Sequence, residues 1–86
     1  MKEDEKKFFT SCLHRIAMPE INIQGFKTPR ELINDISEFI NYKRCWYLLE
    51  KWTDKGFYEY GTTLDLGWFV PSEFKGEYLE IYNKWR

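Results

Sequence analysis

One histidine, His14, and two cysteines, Cys12 and Cys45, are the residues of this 86-residue chain best suited to act as nucleophile, proton shuttle or soft metal ligand. Two cysteines make neither a disulfide framework nor, without further ligands, a metal site. Both fall on the apolar faces of predicted helices, where a free cysteine behaves as a small buried hydrophobe. His14 projects away from such a face, the position of a solvated side chain. No glycine-rich phosphate loop occurs in the sequence. The residues therefore point to a non-catalytic protein with no metal and no cofactor.

The elements that would carry any other function centre on residues 41–70. Taken at 100° per residue, Tyr42, Cys45, Leu48, Leu49 and Trp52 share one apolar arc of a helix. Lys43, Arg44, Tyr47, Glu50 and Lys51 fall on the opposite side, so removing Arg44, Tyr47 or Lys51 is expected to leave the core intact. Gly56 stands where a helix needs a left-handed residue after its last turn, with Lys51 and Lys55 near the negative end. Beyond it, Phe57-Tyr58-Glu59-Tyr60 and Trp68-Phe69-Val70 are aromatic and β-branched runs set apart by Gly61 and Gly67, which predicts a hairpin.

Ahead of this stretch, residues 3–17 predict a first helix with Phe8, Phe9, Cys12, Leu13 and Ile16 as its apolar stripe, closed by Pro19. Ile21-Asn22-Ile23 reads as a short strand and Gly25 as a turn. Thr28-Pro29-Arg30-Glu31 is a helix start, with Thr28 as N-cap, Pro29 in the first turn and Glu31 completing a capping box. Leu32, Ile33, Ile36, Phe39 and Ile40 are expected to face the core, with the helix breaking at Ser37 or near Asn41. A last helix is expected over 72–85, presenting Phe74, Tyr78, Ile81, Tyr82 and Trp85 on one narrow face and weakened by Gly76.

Eighty-six residues make one domain, 1–86, near the lower size limit for a self-sufficient core. Aromatics at 20% supply that core and exceed what it obviously needs, so some are candidates for an interface. Short apolar runs interrupted by charge exclude a transmembrane helix. The opening Met1-Lys2-Glu3-Asp4-Glu5-Lys6-Lys7 lacks the apolar region of a signal peptide, which makes a cytoplasmic location the expectation.

The order helix, short strand, helix, helix, strand, strand, helix resembles the winged helix-turn-helix superfamily over residues 5–70, with the last helix as an extension. The spacing Cys45-x3-Leu49-x2-Trp52-x3-Gly56-Phe57 is similar to that family's positions at the end of the recognition helix and the start of the wing. Leu32 and Ile36 resemble the apolar pair of the preceding helix. The segment between the two helices of the turn departs from the pattern by being a couple of residues longer. The resemblance implies an α+β winged-helix domain whose third helix enters the major groove of double-stranded DNA, as a regulator or accessory factor like those of bacteria and phages. Lys43, Arg44, Tyr47 and Lys51 would then make the contacts, cations to phosphate or guanine and tyrosine to phosphate or a base edge.

Charge limits this expectation. The whole chain is −1; residues 41–55 carry Lys43, Arg44, Lys51 and Lys55 against Glu50 and Asp54, a net of +2. The hairpin holds Glu59 and Asp65 and no cation, and an acidic wing is repelled by phosphate. Lys27 and Arg30 are the cations of residues 18–40, which are net −2. The alternative is a protein-interaction adaptor using Trp46, Tyr58 and Tyr60, Trp68, and Tyr82 and Trp85 of the last helix, since aromatic residues dominate interface hot spots. The same rings could instead cover the sheet from within. A homodimer through the first or last helix is a further expectation, because it doubles the charge footprint and buries the aromatic face of residues 74–85.

Overall fold

The computed structural model describes residues 1–16 and 28–86. Among them the chain forms helices α1 (Glu3–Arg15), α2 (Pro29–Ile36) and α3 (Tyr42–Asp54), strands β1 (Tyr58–Tyr60) and β2 (Gly67–Phe69), a single 3-10 turn over Pro71–Glu73, and helix α4 (Gly76–Trp85). It is a small α+β protein of four helices and a two-stranded antiparallel hairpin. The expected strand Ile21-Asn22-Ile23 and the turn at Gly25 lie outside the described residues. No helix among those described is long and apolar enough to cross a membrane.

Helix α1 buries the stripe its periodicity dictates, Phe8, Phe9, Cys12 and Leu13, with Ile16 buried just past its end. Phe9 is the hub, its ring centroid 5.2–5.9 Å from those of Trp52, Phe57, Phe69, Phe74 and Tyr78. Edge-to-face pairs of this kind add about 0.5–1.5 kcal/mol each beyond the area they bury, which is how a short chain obtains a tight core. The start of α2 follows the capping logic: Thr28 Oγ1 accepts from Glu31 N at 3.3 Å and stands 3.1 Å from the Glu31 carboxylate.

Two expected core residues lie elsewhere. Helix α2 stops at Ile36, and the turn that follows leaves Phe39 82% exposed, although Ile40 returns to the core. Its Ile40 and Phe39 amides both donate back to Ile36 O, a tightening that rotates Phe39 off the helical face. Tyr42, in the first turn of α3, is likewise about half exposed and packs edge-on against Trp46 instead. The last helix also begins later than expected. Pro71–Glu73 makes its own 3-10 turn, Lys75 is extended, and Gly76 at φ +59° starts α4, so this glycine marks a corner and does not weaken a helix interior.

Candidate functional site

Helix α3 is set by its two ends and its buried side. Asn41 Oδ1 accepts from Arg44 N at 3.1 Å as N-cap. At the other end Gly56, at φ +91°, donates to Thr53 O and Phe57 donates to Trp52 O, the paired bonds of a Schellman turn. Cys45, Leu48, Leu49 and Trp52 are fully buried between these caps. That leaves Lys43, Tyr47 and Glu50 exposed, with Arg44 and Lys51 at the margin.

Those two marginal cations are held within the molecule. Arg44 Nε donates to Asp4 Oδ2 at 3.0 Å, while its guanidinium lies 5.2 Å from the Tyr47 ring centroid. The hydrogen bond from Arg44 is the main cause that holds the Asp4 carboxyl below its ordinary value. Lys51 Nζ donates to Glu5 Oε1 at 2.8 Å. Glu5 is 1% exposed, and its other oxygen accepts from Trp52 Nε1 at 2.9 Å and from the Tyr78 hydroxyl at 2.5 Å. Burial alone would raise the Glu5 carboxyl; the bonds from Lys51, Tyr78 and Trp52 outweigh it and hold the group below its ordinary value. The same network pushes the Tyr78 phenol up, through burial first and its bond to Glu5 second.

Glu5 is thus a keystone that sequence reasoning missed, and Lys51 is bound to the core that it was expected to leave untouched. A signal was present: Glu5 precedes Phe8, Phe9 and Cys12 by three, four and seven residues, so it continues their stripe. An acid in an apolar stripe must find donors.

The hairpin pairs Tyr58 with Phe69, Glu59 with Trp68 and Tyr60 with Gly67. Tyr58 is a correction to the interaction candidates: it is 1% exposed, and its hydroxyl donates to Leu64 O at 2.6 Å. Burial pushes its phenol well above the ordinary range. Gly67 makes this possible, since a Cβ there would fall 2.4 Å from the Tyr58 ring and 2.5 Å from Glu59 O. Asp65, in the connecting loop, is buried, and Arg30 Nε donates to its carboxylate while Arg30 N donates to its carbonyl at 3.2 Å. Hydrogen bonding from Thr63 first, then from Arg30 against the cost of burial, keeps the Asp65 carboxyl below its ordinary value. The loop acid is therefore neutralised, but at the expense of a cation of α2.

The remaining hairpin residues form a surface. Tyr60 is 41% exposed and Trp68 half-buried, and with Glu59 they line a groove of about 490 Å³ that runs to Thr53 and Gly56 at the end of α3. In α4, Tyr82 is a second correction, at 5% exposure a core residue stacked on Trp85. Trp85 is partly buried, and its Nε1–H donates to His14 Nδ1 at 3.1 Å. Trp46 also packs half-buried against the core. Of the aromatic face of residues 74–85, Phe74 and Tyr82 are used within the chain, and Tyr78, Ile81 and Trp85 are partly buried.

Both cysteines are buried free thiols. Burial raises them, Cys12 well above its ordinary value and Cys45 to about 11, so both are protonated at neutral pH. Comparison of the chain with protein-family models, with curated proteins and with solved structures finds no match.

Proposed function

We propose that this protein is a small non-catalytic interaction module on a winged-helix-like frame, and that it binds a protein partner through the outer surface of its hairpin. One observation carries this. Three of the cations suited to nucleic acid are paired with carboxylates of the same chain, Arg44 with Asp4, Lys51 with Glu5 and Arg30 with Asp65, whereas Tyr60 and Trp68 line a surface groove. A protein that binds duplex DNA does so largely by neutralising phosphates, and each cation already paired with a carboxylate must break that pair first. Aromatic side chains at a groove supply interface energy without that cost.

DNA binding through α3 is the second reading. It is favoured by Lys43 and Tyr47, which are exposed on one helix, Lys43 with no ion-pair partner among the described residues. Anisotropy of a labelled mixed-sequence duplex at low salt separates the two. The interaction reading expects no saturable binding there, where electrostatics are most favourable. Saturable binding that weakens with Lys43→Ala and Tyr47→Ala would establish the DNA reading in its place.

A further inference from the structure

The acidic residues of the hairpin are unequally compensated. Residues 56–70 carry Glu59 and Asp65 and no lysine or arginine, and Arg30 matches Asp65. Glu59 has no ion pair among the described residues. The nearest cation in sequence, Lys55, is turned away, its ammonium 5.9 Å from the Tyr78 ring centroid. Among the described residues, cation–aromatic pairs are on Tyr47, Tyr78 and Tyr82, and none covers Tyr60 or Trp68. A carboxylate with no ion pair among the described residues therefore shares one groove with two rings that no described cation covers. Thr53 and Gly56 also line the groove, at the carbonyl end of α3, which adds partial negative charge.

Each of these features favours a cation, and together they favour a particular one. We propose that the groove receives an arginine side chain presented by a partner protein, with the guanidinium stacked on the Trp68 indole and its N–H groups donating to the Glu59 carboxylate. Lysine satisfies the charge but has no planar face to lay on an indole and no fork to match a carboxylate. The groove is shallow and open, with a volume of about 490 Å³, and has room for a guanidinium with part of its stem. The assignment rests on the interaction reading given above and names the chemistry that the partner must present.

The test is a titration of the full chain, labelled with 15N at the indoles, with the capped peptide Gly-Gly-Arg-Gly-Gly at low salt, and with its lysine and citrulline analogues. Citrulline keeps the planar shape and removes the charge. The expected result is a saturable shift of the Trp68 indole resonance with the arginine peptide, with Kd on the order of 1 mM for a single side chain. The Trp52 indole, bonded to Glu5 in the core, should stay in place. Glu59→Gln should weaken the arginine peptide at least fivefold while leaving the dispersion of the spectrum unchanged. An unmoved Trp68 indole at tens of millimolar peptide, equal binding of the citrulline or lysine peptide, or no effect of Glu59→Gln would each overturn the assignment. If a protein partner is captured through Trp68 and the arginine peptide still leaves the indole unmoved, the interaction reading stands and the arginine assignment alone falls.

Discussion

Lys51 and Arg44 sit seven residues apart on one helix, both at its margin, yet their carboxylate partners make them different in kind. Asp4 is substantially exposed, and an ion pair there contributes at most about 1 kcal/mol. Glu5 is sealed from water, so removing Lys51 leaves a buried charge with two neutral donors only. The full penalty for orphaning a buried ion is about 3–5 kcal/mol. The Lys51 side chain is one-third exposed, so water can replace part of it, and Lys51→Ala is expected to cost about 1–3 kcal/mol. Arg44→Ala should stay within about 1 kcal/mol. Urea unfolding of the two variants checks the contrast; equal midpoints would mean that Glu5 is not held as described.

The same carboxylate sets a pH dependence. Glu5 is held below its ordinary value of 4.5, so the unfolded chain binds its proton more readily than the folded one. Its contribution is therefore complete above that value and is lost as pH falls through it toward the depressed one. Asp4 and Asp65 are shifted in the same direction and add to the slope. Glu5→Gln should be less stable than the parent near neutrality, with the gap narrowing as pH falls from about 6 to about 3. A gap that stays constant in thermal melts across that interval would remove Glu5 as the source.

At the scale of elements, the helix faces and caps were legible because they depend on local rules. Thr28, Pro29 and Glu31 start α2, and Asn41 and Gly56 bound α3, by hydrogen bonds to residues a few positions away. The stripe of α1 and, apart from Tyr42, the arc of α3 follow from helical period alone. What the period could not show was where a helix stops. Phe39 is in phase with Leu32 and Ile36, but α2 ends before reaching it. Glu5 and Tyr58 were misjudged for another reason: the identity of their partners, Tyr78 of α4 and Leu64 of the hairpin's own loop, depends on how the chain folds back and not on helical or strand period.

Gly67 shows how tightly an element can depend on one missing atom. An alanine there clashes with both the Tyr58 ring and the Glu59 carbonyl, and overpacking of this kind costs about 1–3 kcal/mol. Gly67→Ala is expected to lower the melting temperature and release the Tyr58 hydroxyl from Leu64. A variant melting with the parent would indicate that the hairpin has room it does not show. Trp52→Ala is expected to cost about 3–5 kcal/mol, since its ring packs on Phe8, Phe9 and Phe69 and its Nε1–H serves Glu5. That loss approaches the whole stability of an ordinary small domain, and calorimetry should show the variant largely unfolded.

For the molecule as a whole, two of the three cations of α3, Arg44 and Lys51, are paired within the chain, and the aromatic excess is divided between core and surface. Phe8, Phe9, Trp52, Tyr58 and Tyr82 are core; Tyr60 and Trp68 remain at a groove, and Phe39 and Tyr47 stand on the outside. The competing surfaces therefore offer different chemistry, a mixed-charge helix face around Tyr47 and an acidic aromatic groove around Tyr60. Photo-crosslinking from these two positions in the protein's own cells tests the account most directly. A benzophenone side chain replacing Tyr60 should give a discrete protein adduct that Trp68→Ala abolishes, and the same group replacing Tyr47 should give no adduct with nucleic acid. Nucleic-acid adducts from position 47, with no protein adduct from position 60, would contradict it.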